Sequence, residues 1–450
     1  MGKAWVIVDR ELILNYLWDE TAIEIRPQAA NDLILIKPAD AQQISEIMKL
    51  ANHNKIPVFP RGGGTGLCGG AIPVQNGIIL SLERMKRIQI DRNNLMATAE
   101  AGATLGELIE QVEADGLFFP PHPGDESAQI GGLVACNAGG ARAVKYGVMR
   151  NYVKGMKAIL PTGEQLHLGG KLLKNNTGYD LMNLIIGSEG TLAIITEVVL
   201  RLFPFVAASA TMIVPFNSRH DAVNTVPRIL QSGIIPLAVE YVEYDPIEKS
   251  ARQLGLEWPC KVGVAFLIIV IDGRNDEEVH SVCQSISEIC EGFGCLEPVI
   301  GQTKKEEDAI LKIRSYIYHA YKRDLADVLD IAVPPANMGK LMDAIDRIAE
   351  RFNTSIPVTG HAGDGNLHPK LMKELLTGDG NAFREVKRAI YEQAIQLDGT
   401  MTGEHGLGRV RVPDIDLFLS QTEIKLMRDI KKVFDPNGIL NPGCTIDLDR

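Results

Sequence analysis

Six glycines crowd into nine residues of this chain, at positions 62, 63, 64, 66, 69 and 70 of the segment PRGGGTGLCGG, directly after a stretch that reads as a strand. Backbone free of Cβ can turn successive N–H groups toward one point, the arrangement that binds an anion such as a diphosphate. Gly64, Gly66 and Gly69 fit the spacing G-x-G-x-x-G, but that dinucleotide turn must open into a helix. Ala71-Ile72-Pro73-Val74 does not allow one. No lysine followed by serine or threonine closes the run, so a Walker-type phosphate loop is excluded. Taken by itself the segment also fits a glycine-rich turn that holds no ligand.

A second cluster, PPHPGDESAQIGGLVACNAGGARAVKYG at residues 120–147, holds six more glycines and almost no long side chains between residues 127 and 140. Small residues there permit packing against a flat ligand, or equally a tightly packed helix over residues 130–137. Together the two clusters suggest a long, nucleotide-like ligand. They also explain the composition: 43 glycines among 450 residues, where an average chain at about 7% would carry roughly 31.

The length predicts two or three domains. A net charge of −11 excludes a general nucleic-acid or anionic-membrane binder, which needs a surplus of Lys and Arg. The longest apolar run, residues 262–271, is too short to cross a bilayer as a helix. The N-terminus, with Lys3, Asp9 and Arg10, lacks the apolar core of a secretory signal, so an intracellular protein is expected. Seven scattered cysteines without a C-x-x-C pair give neither a disulfide framework nor an iron-sulfur signature.

Residues 32–37 alternate as a strand, residues 39–52 place Ile44, Ile47, Met48 and Ala51 on one helical face, and residues 56–59 read as the next strand, a β-α-β unit. Thr104 with Glu107 three residues on predicts a capped helix start. After Phe203-Pro204 the glycine clusters stop. Strands are then expected at 210–216, 237–244, 262–271, 328–333 and 355–359, and helices at 218–231, 275–292, 305–322, 336–351 and 381–397. Long helices with these strands predict an α+β domain with an antiparallel sheet. A last helix, 422–434, is expected to return to the first domain, giving domains at 1–205, 206–410 and 411–450.

The segment GHAGDGNLHP, residues 360–369, follows a strand and turns at Asp364-Gly365. His361 and His368 can then face one another, and a carboxylate would complete a divalent metal site. Glu404, in GEHGLG, is available, although the sequence does not bring it there. The histidines fit hydrogen-bonded turn residues as well.

PRGGGTGL (60–67), IGGLVACNAGG (130–140), NNTGYDL (175–181), IGSEGTLAIITE (186–197) and FDPNGILNPG (434–443) occur in the order seen in the vanillyl-alcohol oxidase and para-cresol methylhydroxylase flavoproteins. Within them the chain resembles the D-2-hydroxyacid dehydrogenases, a group with D-lactate dehydrogenases and glycolate oxidase flavoprotein subunits. The resemblance covers nearly the whole chain and implies a two-subdomain FAD-binding domain plus an α+β cap over the substrate. It implies that Pro60, Arg61, Gly62, Gly63, Gly64, Thr65, Gly66 and Leu67 wrap the FAD diphosphate. Pro123, Gly124, Asp125 and Ser127, with Ile130, Gly131, Gly132, Asn137, Ala138 and Gly139, would line the flavin ring and ribityl chain. Glu189, Gly190 and Ile195 would meet the adenosine half, and Asn441 the flavin. Covalent relatives often attach FAD through a histidine in the first glycine loop; this loop has none, so the flavin is expected to be non-covalent.

The same resemblance implies a divalent metal, zinc, manganese or iron, on His361, His368 and Glu404. The metal would acidify the hydroxyl of a small D-2-hydroxy acid, with His405 removing the proton and Arg314 holding the carboxylate. Tyr318, four residues after Arg314, is expected on the same helical face, where it either adds a hydrogen bond to the substrate or packs in the core. The 2-hydroxyglutarate-specific relatives carry a lysine where this chain has Val328, ahead of Asp330 and Pro334, which favours D-lactate or glycolate over a dicarboxylate. Reduced FAD needs an acceptor that the chain does not contain, so an iron-sulfur protein or electron-transferring flavoprotein is implied as partner. Such a protein would be cytoplasmic, free or peripheral in a membrane-associated or soluble redox complex, with a homodimer as one open assembly. Competing functions are an oxygen-using alcohol or sugar oxidase, an electron-relay subunit, and a metallohydrolase, the last having no use for two glycine cradles.

Overall fold

The computed structural model describes residues 2–301, 303–378 and 380–448. Packing divides the chain into two units, one of residues 1–139, 148–205 and 404–450, the other of 140–147 and 206–403.

In the first unit the strands Leu33–Ile36 and Val58–Arg61 both lie parallel to Gly77–Ser81, and the helix Ala41–Asn54 connects the first two. This is the expected β-α-β unit. Asp40 caps the helix by accepting from the Gln43 N–H, and Lys55 ends it in the left-handed region. Its buried face, Ile44, Met48 and Ala51, packs with Val58, Ile78 and Leu80. The helix Leu105–Ala114 begins with the expected reciprocal cap, Thr104 Oγ1 accepting from the Glu107 N–H at 3.1 Å and Glu107 Oε2 from the Thr104 N–H at 2.8 Å.

A second, antiparallel sheet was not visible in the sequence pattern. Its order is Ile88–Asp91, Met96–Glu100, Ile194–Arg201, Val153–Ile159 and Gln165–Gly169. Most of these strands are short and scattered between the glycine-rich segments, which hides their period. The C-terminal helix Gln421–Phe434 leads into residues that add to the edge of the parallel sheet. There Val58 N–H donates to Ile439 O and Asn441 N–H to Val58 O, both at 2.8 Å.

The second unit is an α+β layer built on an antiparallel sheet. Its order is Val299–Ile300, Ala208–Phe216, Ala265–Gly273, Ala238–Glu243, Val358–His361, Asn366–Met372 and Leu325–Val328, with Ile331–Ala332 also on Asn366–Met372. Ala265–Gly273 lies between Ala208–Phe216 and Ala238–Glu243 and is buried on both faces, hence its unbroken apolar sequence. Val262 and Val264, expected in it, are exposed ahead of it.

Two expectations for this unit need correction, and one helix was unexpected. The helix expected at 305–322 is two helices, Lys304–Ser315 and Ile317–Tyr321. The Ser315 hydroxyl donates to Lys312 O at 3.1 Å, a side-chain bond that unsettles a helix end. The strand expected at 328–333 is interrupted, because Asp330 turns its buried carboxylate to the Asn366 amide and the Thr402 hydroxyl. The helix Tyr244–Leu254, with Ile247, Ser250 and Ala251 buried and Gly255 as a left-handed cap, was missed. Among the described residues no helix is long and apolar enough to cross a membrane.

Candidate active site

The strand Val58–Arg61 delivers the chain into the first glycine loop. Arg61 packs beneath that loop and spends its guanidinium on other backbone. Its guanidinium is buried and donates to Trp18 O at 2.7 Å and Asn15 O at 3.0 Å, and Gly64, at φ +73°, sits against it where a Cβ would clash. What remains for a ligand is backbone. A Cβ on Gly66 or Gly132 would meet nothing within 4 Å, and one on Gly62 nothing nearer than Gln129 at 3.7 Å.

The second cluster does form a helix, Ile130–Cys136. Its first N–H groups are already used: Ile130 donates to Ala103 O and Gly131 to Ala101 O, both at 2.8 Å. A Cβ on Gly131 would stand 2.6 Å from that of Ala101. Gly131 therefore serves packing, whereas Gly132 faces open space beside Gly62. Gln129 Oε1, between them, is buried with no hydrogen-bond partner among the described residues. An orphaned acceptor beside two Cβ-free positions fits a flat group with an N–H or hydroxyl donor, as in FAD. Ser127 and Asp125 bond one another at 2.6 Å in the exposed turn after Pro123 and Gly124. Asn137 closes the helix at φ +53°, and its Oδ1 accepts from the Arg150 N–H. Buried Ala138 accepts from the Met149 N–H.

Glu189 is committed elsewhere. At φ +52°, its buried carboxylate accepts from the Leu407 N–H at 2.9 Å, the Gly408 N–H at 2.8 Å and the Thr445 hydroxyl at 3.1 Å. Burial pushes its pKa up while these donors pull it down. Gly190 packs on Pro60, and Ile195 is buried in the antiparallel sheet. Asn441 donates to Gly70 O and Glu189 O, and its Oδ1 accepts from Arg409. Arg409, missed in the sequence, donates to Gly69 O at 2.8 Å and Gly70 O at 2.9 Å. It buckles the glycine loop to the C-terminal segment. Glu404 lies against Gly139, and His405 Nε2 is 3.7 Å from Glu404 Oε1.

In the second unit, the strands Val358–His361 and Asn366–Met372 form the expected hairpin, with a four-residue turn that includes Asp364-Gly365. His361 and His368 come together, their ring centres 5.3 Å apart and nearly perpendicular. Each is backed by a carboxylate the sequence did not point to: Glu240 Oε1 is 2.6 Å from His361 Nδ1, and Asp330 Oδ1 is 3.6 Å from His368 Nδ1. Two imidazoles converging with a carboxylate behind each fit a borderline divalent metal.

Arg314 is held by Glu240, Nη2 to Oε2 at 2.6 Å, and its Nε is buried without a hydrogen-bond partner among the described residues. Tyr318, on the far side of the helix break, packs against the apolar cluster around Ile313 and Phe266 and edge-on to His319. It does not continue the face of Arg314. Lys370, also missed, is fully buried and donates to Thr359 Oγ1 at 2.6 Å. Burial and the neighbouring charge of Arg314 lower its pKa to about 7 against the opposing pull of Glu243.

Two family models match the chain: a FAD binding domain over residues 33–169 and the C-terminal domain of FAD linked oxidases over residues 206–445. A D-lactate dehydrogenase of Archaeoglobus fulgidus is 40% identical over 95% of this chain and 94% of its own. The glycolate oxidase subunit GlcD of Bacillus subtilis is 37% identical over 96% and 91%. Among solved structures, substrate-bound p-cresol methylhydroxylase superposes with a TM-score of 0.78 at 18% identity, covering 100% of this chain and 95% of that one, which fixes the fold. The chain belongs to the FAD-linked oxidases, as a FAD-dependent oxidoreductase of the group that holds the D-lactate dehydrogenases and glycolate oxidase subunits.

Proposed function

We propose that the protein oxidises a small D-2-hydroxy acid, D-lactate or glycolate, to the 2-oxo acid, with non-covalent FAD and a divalent metal. The observation that carries this reading is the cluster of His361, His368, Glu240 and Arg314 in the second unit. It combines an imidazole pair with an arginine whose buried Nε has no hydrogen-bond partner among the described residues. The relatives named D-lactate dehydrogenase and glycolate oxidase subunit support the substrate class.

His361, His368 and Glu404 would hold the metal. Glu404 directly follows Gly403, whose N–H donates to Asp330 O at 2.8 Å; chain connectivity thus supports its part in the set. Bound metal supplies a Lewis acid for the substrate hydroxyl, and bound FAD supplies a two-electron acceptor for the α-hydrogen. Arg314, with the buried Lys370 nearby, receives the carboxylate, since a guanidinium edge matches its two oxygens. His405 takes the hydroxyl proton as general base. Turnover would need an external electron acceptor, an iron-sulfur protein or electron-transferring flavoprotein.

Anaerobic addition of D-lactate to the purified yellow protein is expected to bleach the flavin, with L-lactate inert, and acid precipitation to release the flavin. Absence of bleaching with every 2-hydroxy acid refutes the reading, and stoichiometric oxygen consumption would make the protein an oxidase.

A further inference from the structure

Glu240 occupies an unusual place. It lies on Ala238–Glu243, a strand with neighbours on both sides, and is 3% exposed. A carboxylate so buried is strongly disfavoured unless its oxygens are paired. Glu240 divides them, Oε2 going to Arg314 Nη2 and Oε1 to His361 Nδ1, each at 2.6 Å. The second contact is fixed by sheet register, because Glu240 and His361 are direct cross-strand partners.

The consequences differ at the two ends. A carboxylate on Nδ1 draws the ring proton to that nitrogen and turns the lone pair of Nε2 outward, in the orientation a metal ligand needs. At the other end Glu240 grips Arg314 through one terminal nitrogen, while Nε remains without a partner among the described residues. The guanidinium is thereby oriented without being used up. One buried carboxylate thus faces the group assigned to substrate binding and a group assigned to metal binding, and a change in its pairing at one end is felt at the other.

We infer that Glu240 is a positioning residue that couples Arg314 to the metal affinity of His361. The inference rests on the metal reading given above and deepens it. Zinc affinity, measured by competition with a chromophoric chelator on full-length FAD-loaded protein, is the readout. Glu240→Gln is expected to weaken zinc binding about 10–100-fold, the scale seen when the outer partner of a ligating histidine is lost, with flavin content unchanged. Arg314→Met is expected to change zinc affinity about threefold or more in the wild-type background and to have no effect in the Glu240→Gln background, the signature of pairwise coupling.

A purely structural Glu240 would lower thermal stability and leave zinc affinity and additivity intact, and that result overturns the inference. Glu240→Asp keeps the charge but withdraws it by one methylene. It serves if the Gln variant does not accumulate, and an unchanged zinc affinity in it overturns the inference equally. Wild-type protein that binds no zinc, manganese or iron stoichiometrically refutes the metal reading, and the coupling with it. Wild-type protein that binds zinc as tightly as the Gln variant refutes the coupling alone.

Discussion

Lys370 offers a direct test of whether the second unit carries a buried cation at its own expense. Its side chain is 2% exposed and makes one hydrogen bond among the described residues, to Thr359. Its pKa falls from 10.5 to about 7, chiefly by burial and then by Arg314. Unfolded chain keeps the proton until about pH 10.4, so between about pH 7 and 10 the unfolded state binds more protons and stability rises with pH. Below pH 7 both states are protonated and the full cost of burying the ammonium is present. About 3.5 units at about 1.4 kcal/mol each gives a cost on the order of 5 kcal/mol.

Lys370→Met keeps the length of the side chain and removes the charge. Calorimetry of metal-free protein should show the variant unfolding on the order of 10 °C higher than wild type at pH 6.5, since about 1 kcal/mol moves a unit of this size by roughly 2–4 °C. The advantage should shrink as pH rises and vanish near pH 10. Turnover assays of the metal-loaded enzyme should show a raised KM for D-lactate, the loss that a stabilising change at a binding site brings. A variant less stable than wild type at pH 6.5, or an advantage that does not vary with pH, refutes the reasoning.

Gly132→Leu should abolish flavin binding, read as the absorbance ratio of purified protein, and leave the melting of apo-protein unchanged, because its Cβ faces open space. Gly131→Ala should instead destabilise the apo-protein by about 1–3 kcal/mol through the Ala101 contact. Glu189→Ala strands two backbone donors and should cost on the order of 3–5 kcal/mol, detected as early proteolytic loss of the C-terminal segment. Arg314→Ala should raise the KM for D-lactate roughly 10–100-fold while also destabilising the protein, since it leaves the Glu240 charge buried with one partner fewer.

Features whose cause is local were legible in the sequence. The Thr104/Glu107 cap, the hairpin around Asp364-Gly365 and the β-α-β unit each follow from residues a few positions apart. Glu240 was not legible, because a glutamate within AVEYVE reads as the solvent side of a half-buried strand, and nothing nearby says that both faces are covered. Arg409 reaches a glycine loop 340 residues away, and no periodicity reports such a contact. The resemblance points Glu189 at the adenosine half, and no local pattern reports that its carboxylate accepts from residues 407, 408 and 445. Arg61 is similar: its neighbours are glycines, while its side chain donates to Trp18 and Asn15.

The interleaving of the two units constrains the order in which the protein can be completed on the ribosome. Synthesis runs through residues 140–147 long before the unit they belong to exists. Lys145 must wait for Asp272, 127 residues later, before its 2.5 Å pair can form. The first unit waits longer still, since the edge at Val58 is closed only by Ile439 and Asn441, and the glycine loop is buckled only once Arg409 has emerged. A nascent chain arrested before residue 403 therefore carries an almost entire second unit beside an unfinished flavin cradle. That cradle is closed only after Arg409, Ile439 and Asn441 have emerged and docked.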